Sequence, residues 1–136
     1  MANKKTTIVT GASQGIGAAV VRAFLDRGYN VVGNARSFAG EGFTPSPNLS
    51  LVEGDIRVAT TAQKIAQTAM DKFGSIDHVV SSAGIFSSKP FTDYTIDEFR
   101  GFVSTNLEGF IFITQAAVRQ MLAQGTGGSE RASRHR

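Results

Sequence analysis

The 136-residue sequence contains no cysteine and only two histidines. The lack of cysteine excludes a disulfide framework and a thiolate metal site. His78 and His135 have no clustered partner, so we expect no metal site. Long hydrophobic runs are absent too: no stretch is long enough to span a bilayer, and residues 1–5 lack the apolar region of a signal peptide. These absences predict a cytoplasmic protein without a membrane partner.

An excess of charge of one sign is also nearly absent. The net charge is +3, and two of these charges come from the C-terminal Arg131, Arg134 and Arg136 offset by Glu130. The rest of the chain is close to neutral and has no basic stripe, which argues against a nucleic-acid partner. Apolar residues make up 41% of the chain, and this composition and length are typical of one globular domain.

Short β-branched or apolar runs alternate along the chain with segments of helical periodicity. The predicted strands cover residues 6–10, 29–35, 49–52 and 76–80, and the segment between the second and third strands is a loop or an irregular helix. This alternation is typical of an α/β protein whose parallel sheet carries helices on both faces. We therefore expect a doubly wound sheet with strand order 3-2-1-4.

Two of the predicted helices have distinctive patterns. In the first, Ile16, Val20 and Phe24 recur every four residues and indicate the buried face. The last helix begins at Thr95, and Glu98 follows with the spacing of a capping box. Its apolar stripe, which runs to about residue 122, is wider than contact with one sheet requires. We therefore expect helix 95–122 to form a homo-oligomer contact.

Three glycines lie between the first strand and the first helix, in the run Thr10-Gly11-Ala12-Ser13-Gln14-Gly15-Ile16-Gly17. Gly11 allows a sharp turn out of the strand, Gly15 leaves room for a pyrophosphate near the backbone, and Gly17 permits close packing of the helix. The start of the helix then offers unpaired N–H groups to phosphate oxygens. The pattern predicts a dinucleotide site, and a glycine-rich turn without a ligand is the alternative.

The spacing of this turn resembles the signature of the short-chain dehydrogenases/reductases. Three further segments match that family in the right order: Asp55-Ile56, Ser81-Ser82-Ala83-Gly84, and Asn106 with Val103 and Gly109 around it. The resemblance extends from about residue 5 to residue 128. It implies a Rossmann-type dinucleotide-binding domain over residues 1–128 and hydride transfer between a nicotinamide cofactor and a small carbonyl or alcohol substrate.

The resemblance also assigns roles to individual residues. It implies that Asn106 takes part in catalysis, where the family's asparagine and a local helix distortion help to hold a water in a proton relay. An asparagine satisfied by a contact between helices is the alternative. The expected cofactor-binding residues are Gly11, Ser13, Gln14, Gly15, Ile16, Gly17, Arg36, Ser37, Asp55, Ile56, Ser82, Ala83 and Gly84.

The end of the second predicted strand bears on the choice of cofactor. An NAD enzyme usually has an acidic residue there for the ribose 2′-hydroxyl, whereas this chain has Arg36, which suits a 2′-phosphate. We therefore expect NADP(H) rather than NAD(H). The alternative for Arg36 is a solvated surface arginine. For Asp55 the alternative is a turn residue at the end of a strand that binds no ligand.

Three departures from the family limit the expected activity. Ser81 and Ser82 replace an asparagine pair, and neither Tyr29 nor Tyr94 is followed four residues later by the lysine of the family's Tyr-x-x-x-Lys pair. After residue 128 we expect a disordered tail, residues 129–136, instead of the fifth strand that carries the family's catalytic serine. One hypothesis is that this tail is translated out of frame.

The expected function is therefore that of an NADP(H)-dependent oxidoreductase, of which this chain carries the cofactor-binding half. The alternative is an inactive dinucleotide-binding fragment or an association module. Without a fifth strand, the fourth would have an open edge, and we expect poor solubility or self-association for that reason.

Overall fold

The computed structural model describes residues 4–39, 42–84, 89–125 and 128–132. Within these ranges the chain forms one parallel sheet with helices packed against it. The strands are β1 (Thr6–Thr10), β2 (Asn30–Ala35), β3 (Leu49–Glu53), β4 (His78–Ser81) and β5 (Ser129–Ala132). The helices are α1 (Gly15–Asp26), α2 (Ala59–Phe73), α3 (Ile96–Val103) and α4 (Gly109–Gln124), with a 3₁₀ turn at Phe91–Asp93.

The strand order is β3-β2-β1-β4-β5. The doubly wound α/β fold and the order 3-2-1-4 are thus confirmed. In register, the last residue of β1, Thr10, lies beside Asn34 of β2 and Ser81 of β4. The order reverses between β1 and β4, which is where sheets of this kind bind ligands at the carboxyl ends of their strands.

Two hydrophobic layers enclose β1, because successive side chains of a strand point to opposite faces. Ile8 packs on one face with residues of α2 and α4 such as Ile65 and Ile113. Val9 packs on the other face with Val21 of α1. All five side chains are fully buried, so β1 lies at the centre of the core.

The buried face of α1 differs from the prediction. Gly17, Ala18 and Val21 are buried, whereas Ile16 is 49% exposed. The predicted face was therefore wrong at Ile16, whereas Val20 and Phe24 are half-buried and pack against the layer that contains Val9. Small residues bring this helix close to the sheet, and a pattern of large apolar residues does not reveal such a surface.

The last predicted helix extends from Ile96 to Gln124 without a gap, but its middle is not α-helical. The capping box is confirmed: Glu98 N–H donates to the Thr95 hydroxyl at 3.1 Å, and Thr95 N–H donates to the Glu98 carboxylate at 3.3 Å. After α3 the chain forms a π-helical turn, Ser104–Glu108, before α4 begins. Single π turns inside helices are frequent at functional sites.

The expectation that no fifth strand follows residue 128 was wrong. Residues 129–132 form β5, which pairs in parallel with β4, so the edge of β4 is covered. A strand at the edge of a sheet pairs through its backbone, and its side chains need not be apolar. For that reason the run Ser129-Glu130-Arg131-Ala132 gave no strand signal. Residues 133–136 lie outside the described residues, and the out-of-frame origin of the tail stays a prediction.

Candidate functional site

A cleft of about 430 Å³ lies at the carboxyl ends of β1, β2 and β4. Its walls are the turn after β1, the end of β2, the segment after β3, the segment after β4 and one residue of the π turn. The lining residues are Gly11, Ser13, Gln14, Gly15, Ile16, Gly17, Asn34, Ala35, Arg36, Gly54, Asp55, Ile56, Arg57, Ser82, Ala83, Gly84 and Thr105.

The turn after β1 needs glycine at two positions for two different reasons. Gly11 has φ +65°, and a Cβ there would lie 2.6 Å from the Ala83 backbone nitrogen. Gly15 has φ +58°, but a Cβ there would meet nothing within 4 Å. Gly11 is therefore required by the protein's own packing. Gly15 borders open space in the cleft, as expected where a ligand approaches the backbone.

The third glycine of the turn packs tightly, but not directly on a strand. A Cβ on Gly17 would collide with the Gly11 carbonyl group and lie 3.2 Å from the Ala12 Cα. The first turn of α1 is thus pressed against the glycine turn itself. This contact fixes the direction in which the N-terminus of α1 points.

The N-terminus of α1 has the properties of an anion site. Gln14 occupies the N-cap position in an extended conformation, its side chain makes no capping hydrogen bond, and the first turn contains no acidic residue. The first N–H groups of a helix have no partner within it, and the helix dipole makes this end partly positive. Because Gln14, Gly15 and Ile16 line the cleft, these donors border it.

The segment after β4 is held by a threonine of β1. The Thr10 hydroxyl accepts hydrogen bonds from the N–H groups of Ser82, at 3.2 Å, and Ala83, at 3.3 Å. Thr10 is completely buried and Ser82 nearly so. The sequence had left open what would hold this strand end when serines replace the family's asparagine pair. The Thr10 hydroxyl supplies that connection.

Asn34 of β2 joins two walls of the cleft. Its carbonyl oxygen accepts a hydrogen bond from Ala12 N–H at 2.9 Å. Its side-chain amide donates to the carbonyl oxygens of Val52, at 2.9 Å, and Gly54, at 3.2 Å. The glycine turn and the end of β3 are therefore fixed to the same residue, which is 1% exposed.

Asp55 is bound side-on by Arg57. Arg57 Nε donates to both carboxylate oxygens at 3.0 Å, and its Nη2 donates to Oδ2 at 2.6 Å. Arg57 backbone N–H also donates to Oδ1 at 2.9 Å. These hydrogen bonds hold the pKa of Asp55 below its usual range, and the nearby charge of Arg36 lowers that pKa further. Asp55 is thus a carboxylate at neutral pH and has a fixed orientation.

Two predicted residues lie just outside the lining of the cleft. Asn106 is an exposed residue of the π turn, and its neighbour Thr105 lines the cleft instead. Ser37 follows Arg36, and its hydroxyl accepts a hydrogen bond from Ala39 N–H at 3.1 Å. The role of Asn106 in catalysis stays a prediction.

Ile56 has a structural contact in addition to lining the cleft. It is almost completely buried. A Cβ on Gly109, the first residue of α4, would lie 2.8 Å from Ile56 Cγ2. Gly109 therefore allows α4 to pack against the segment that carries Asp55.

The structure brings the other twelve predicted cofactor-binding residues together in one cleft. Sequence reasoning missed Asn34, Ala35, Gly54, Arg57 and Thr105. Arg57 could have been found from its position two residues after Asp55, since such a pair closes a local turn. The amide contacts of Asn34 depend on the pairing of β2 with β3, for which the sequence carries no local signal.

The cleft fits a dinucleotide. An uncapped helix N-terminus and the open space at Gly15 suit the pyrophosphate, whose negative charge they complement. The charged residues of the lining are Arg36, Asp55 and Arg57, which gives one net positive charge. Among the described residues, no group of His, Asp or Glu is arranged to hold a metal ion, and no helix there is long and apolar enough to cross a membrane.

Comparison with known proteins agrees with this geometry. The family model for short chain dehydrogenases matches residues 5–129. This chain belongs to the short-chain dehydrogenase family. It is 37% identical over 132 residues to the L-rhamnose 1-dehydrogenase (NAD(P)(+)) of Sphingomonas sp. (strain SKA58), covering 92% of this chain and 52% of that protein. The enzyme of the same name from Azotobacter vinelandii is 36% identical over 135 residues, covering 92% and 53%.

Solved structures show the same fold. A short-chain dehydrogenase/reductase described as a glucose/ribitol dehydrogenase, from Brucella melitensis, superposes with a TM-score of 0.79 at 31% identity, covering 87% of this chain and 52% of that one. The ligand-free aldohexose dehydrogenase of Thermoplasma acidophilum gives 0.78 at 28% identity, covering 89% and 46%. The chain thus spans about half the length of the curated relatives it matches.

Proposed function

We propose that this chain binds NADP(H) in the cleft and supplies the cofactor-binding half of a short-chain oxidoreductase acting on a carbonyl or alcohol group. The observation that carries the proposal is the uncapped N-terminus of α1, which opens onto the open space at Gly15. The N–H groups of this helix end would bind the pyrophosphate oxygens. Ser82, Ala83 and Gly84 would lie along the nicotinamide half of the cofactor.

Arg36 supports NADP(H) over NAD(H). It lies directly after β2 and lines the cleft, and Asp55, the lining carboxylate, is already paired with Arg57. A guanidinium forms charge-assisted hydrogen bonds with phosphate oxygens. The 2′-phosphate that distinguishes NADPH from NADH would therefore be favoured at this end of the cleft.

The experiment that tests the proposal is a fluorescence titration of the purified chain with NADPH and, in parallel, with NADH. We expect saturable binding of both cofactors, with the lower Kd for NADPH. Absence of saturable binding for both would contradict dinucleotide binding. A lower Kd for NADH would contradict the assignment of NADP(H) while leaving the dinucleotide site in place.

Hydride transfer requires more than the cofactor. The cofactor supplies the hydride, and the protein must supply a proton donor or acceptor near the reacting carbonyl. We propose that Asn106 assists that proton transfer from the π turn. Because relatives are named as L-rhamnose, glucose and aldohexose dehydrogenases, L-rhamnose and other aldoses are the first substrates to assay.

Binding without turnover is a second candidate function. Neither tyrosine is followed by a lysine at the family's spacing. Tyr29, which precedes β2, packs against Phe24 and His78 at the opposite end of the sheet from the cleft. If NADPH binds, and the chain neither reduces NADP⁺ with a panel of aldoses nor oxidises NADPH with simple carbonyl compounds, this candidate is favoured over the enzyme.

We further propose that the chain resides in the cytoplasm and self-associates through the segment 95–122. Large apolar side chains along this segment are exposed: Ile96, Phe99, Leu107, Ile111, Val118 and Leu122. A second copy of the chain would bury them. Light scattering should give a mass above 14.4 kDa, and a monomer at high concentration would contradict the proposal.

A further inference from the structure

Three charged residues line one end of the cleft, on the segments that follow β2 and β3. Arg36 follows β2, and Asp55 and Arg57 follow β3. All three line the cleft. Glu53, the last residue of β3, is not part of the lining, and its carboxylate accepts a hydrogen bond from Phe38 N–H at 3.3 Å. The charge that faces a ligand here is therefore set by two guanidinium groups and one carboxylate.

The segment that carries Asp55 is rigid before any ligand binds. Gly54 N–H donates to the Ala35 carbonyl at 3.0 Å, and Val58 N–H donates to the Asp55 carbonyl at 3.0 Å. The Asn34 amide holds the Gly54 carbonyl. With its backbone fixed in this way, Asp55 stays in the cleft, and its negative charge must be balanced there.

We propose that Arg57 is a specificity-determining positioning residue, which neutralises and orients the Asp55 carboxylate so that this end of the cleft accepts a 2′-phosphate. The proposal rests on the dinucleotide binding proposed above. Without Arg57, Asp55 would offset the charge of Arg36, and a 2′-phosphate, which carries nearly two negative charges at neutral pH, would meet a neutral lining. With Arg57 in place, the lining keeps one net positive charge.

The two guanidinium groups thus have different roles. Arg36 would contact the phosphate directly, whereas the side-on pair of Arg57 with Asp55 occupies the Nε and one terminal nitrogen of Arg57. A side-on pair of this kind holds a carboxylate in one plane, which a lysine cannot do. We therefore expect R57K to preserve the charge balance and to lose part of the orientation.

The test is a double-mutant cycle on the full chain, read as the ratio of the Kd for NADH to the Kd for NADPH. The variants are R57Q, R57K, D55N and R57Q/D55N. R27Q, at the C-terminal end of α1, is a matched control. We expect R57Q to lower the ratio by roughly tenfold, R57K to lower it less, and R27Q to leave it unchanged. The double variant R57Q/D55N should have nearly the ratio of the unmodified chain, because both linings carry one net positive charge.

The ratio of the two Kd values separates this role from a loss of folding. NADH and NADPH differ only in the 2′-phosphate, so a folding defect would weaken the binding of both. An unchanged ratio in R57Q would overturn the inference and leave the proposed function intact. A ratio in R57Q/D55N as low as in R57Q would also overturn it, since Arg57 would then act independently of that carboxylate. If the unmodified chain binds neither cofactor, the proposed function fails and the inference fails with it.

Discussion

The Thr10 hydroxyl accepts a hydrogen bond from the backbone N–H of Ser82 at 3.2 Å, which ties the end of β1 to the segment after β4. Thr10 is also the residue that precedes the glycine turn. One buried side chain therefore fixes the distance between the pyrophosphate end of the cleft and the segment proposed to border the nicotinamide.

The first prediction concerns this connection. T10V removes the acceptor and leaves the N–H groups of Ser82 and Ala83 unpaired, which should lower the free energy of unfolding by about 1–3 kcal/mol. Urea denaturation followed by circular dichroism measures the change. T10S is the control, since it keeps the hydroxyl. No loss in T10V would contradict the role of the hydrogen bonds, since valine keeps the methyl group and lacks only the hydroxyl.

The second prediction compares Gly15 at the start of α1 with Gly28, which follows the end of α1. Gly15 has φ +58° and Gly28 has φ +84°, and a Cβ would meet nothing within 4 Å at either position. Alanine at either site should cost about 1–2 kcal/mol of stability because of its left-handed conformation. G15A should also weaken NADPH binding, because its methyl group enters the cleft, whereas G28A should not.

Denaturation and NADPH titration of the two variants side by side measure both effects. If G15A and G28A bind NADPH equally well, Gly15 does not border the cofactor. The glycine turn would then be a structural feature of the fold alone.

The third prediction concerns the 2′-phosphate. R36Q should raise the Kd for NADPH by roughly ten- to a hundredfold, the effect of losing charge-assisted hydrogen bonds, and should change the Kd for NADH little. R27Q, a change of the same type at the C-terminal end of α1, is the control. An equal loss for both cofactors in R36Q would assign Arg36 a structural role.

The fourth prediction concerns Glu130 of β5. Burial raises the pKa of its carboxyl above the usual range, and its Oε1 is shielded from solvent, as is the Thr114 hydroxyl. Because the folded state then binds a proton at higher pH than the unfolded chain does, stability should rise as the pH falls through this raised pKa. E130Q mimics the protonated form and should be more stable than the unmodified chain at neutral pH.

The melting temperature of E130Q and of the unmodified chain, measured from pH 7 to pH 4, tests this expectation. The advantage of E130Q should shrink as the pH falls, because Glu130 of the unmodified chain then becomes protonated. A pH-independent difference for E130Q would contradict the burial of Glu130 and the existence of β5 in solution.

The parts of the fold that the sequence predicted are those with local signals. The strand at residues 6–10 and the capping box of Thr95 and Glu98 each depend on a few neighbouring residues, and the structure has them where they were expected. The glycine spacing of residues 10–17 is also a local signal, and it predicted the position of the cleft. A turn, a cap or a short buried strand can be recognised within one window of sequence.

The parts that escaped prediction depend on partners far along the chain. β5 exists because β4 offers a free edge, and its polar residues carry no pattern of their own. Asn34 contributes to the cleft because its amide donates to the carbonyl groups of Val52 and Gly54. Arg57 contributes because it binds the Asp55 carboxylate in the folded segment after β3. The exposed position of Ile16 follows from the close approach of Gly17 to the glycine turn, which large apolar residues do not indicate.

The central claim is that NADPH binds at the glycine turn, and the most direct test is an NMR titration of the ¹⁵N-labelled chain with NADPH. Glycine amides report on both ends of the sheet. Gly11, Gly15 and Gly17 line the cleft, whereas Gly28, Gly74 and Gly125 lie at the C-terminal ends of helices, at the opposite end of the sheet. We predict saturable shifts for the first three and none for the last three. Shifts absent from the first group, or confined to the second, would contradict the account.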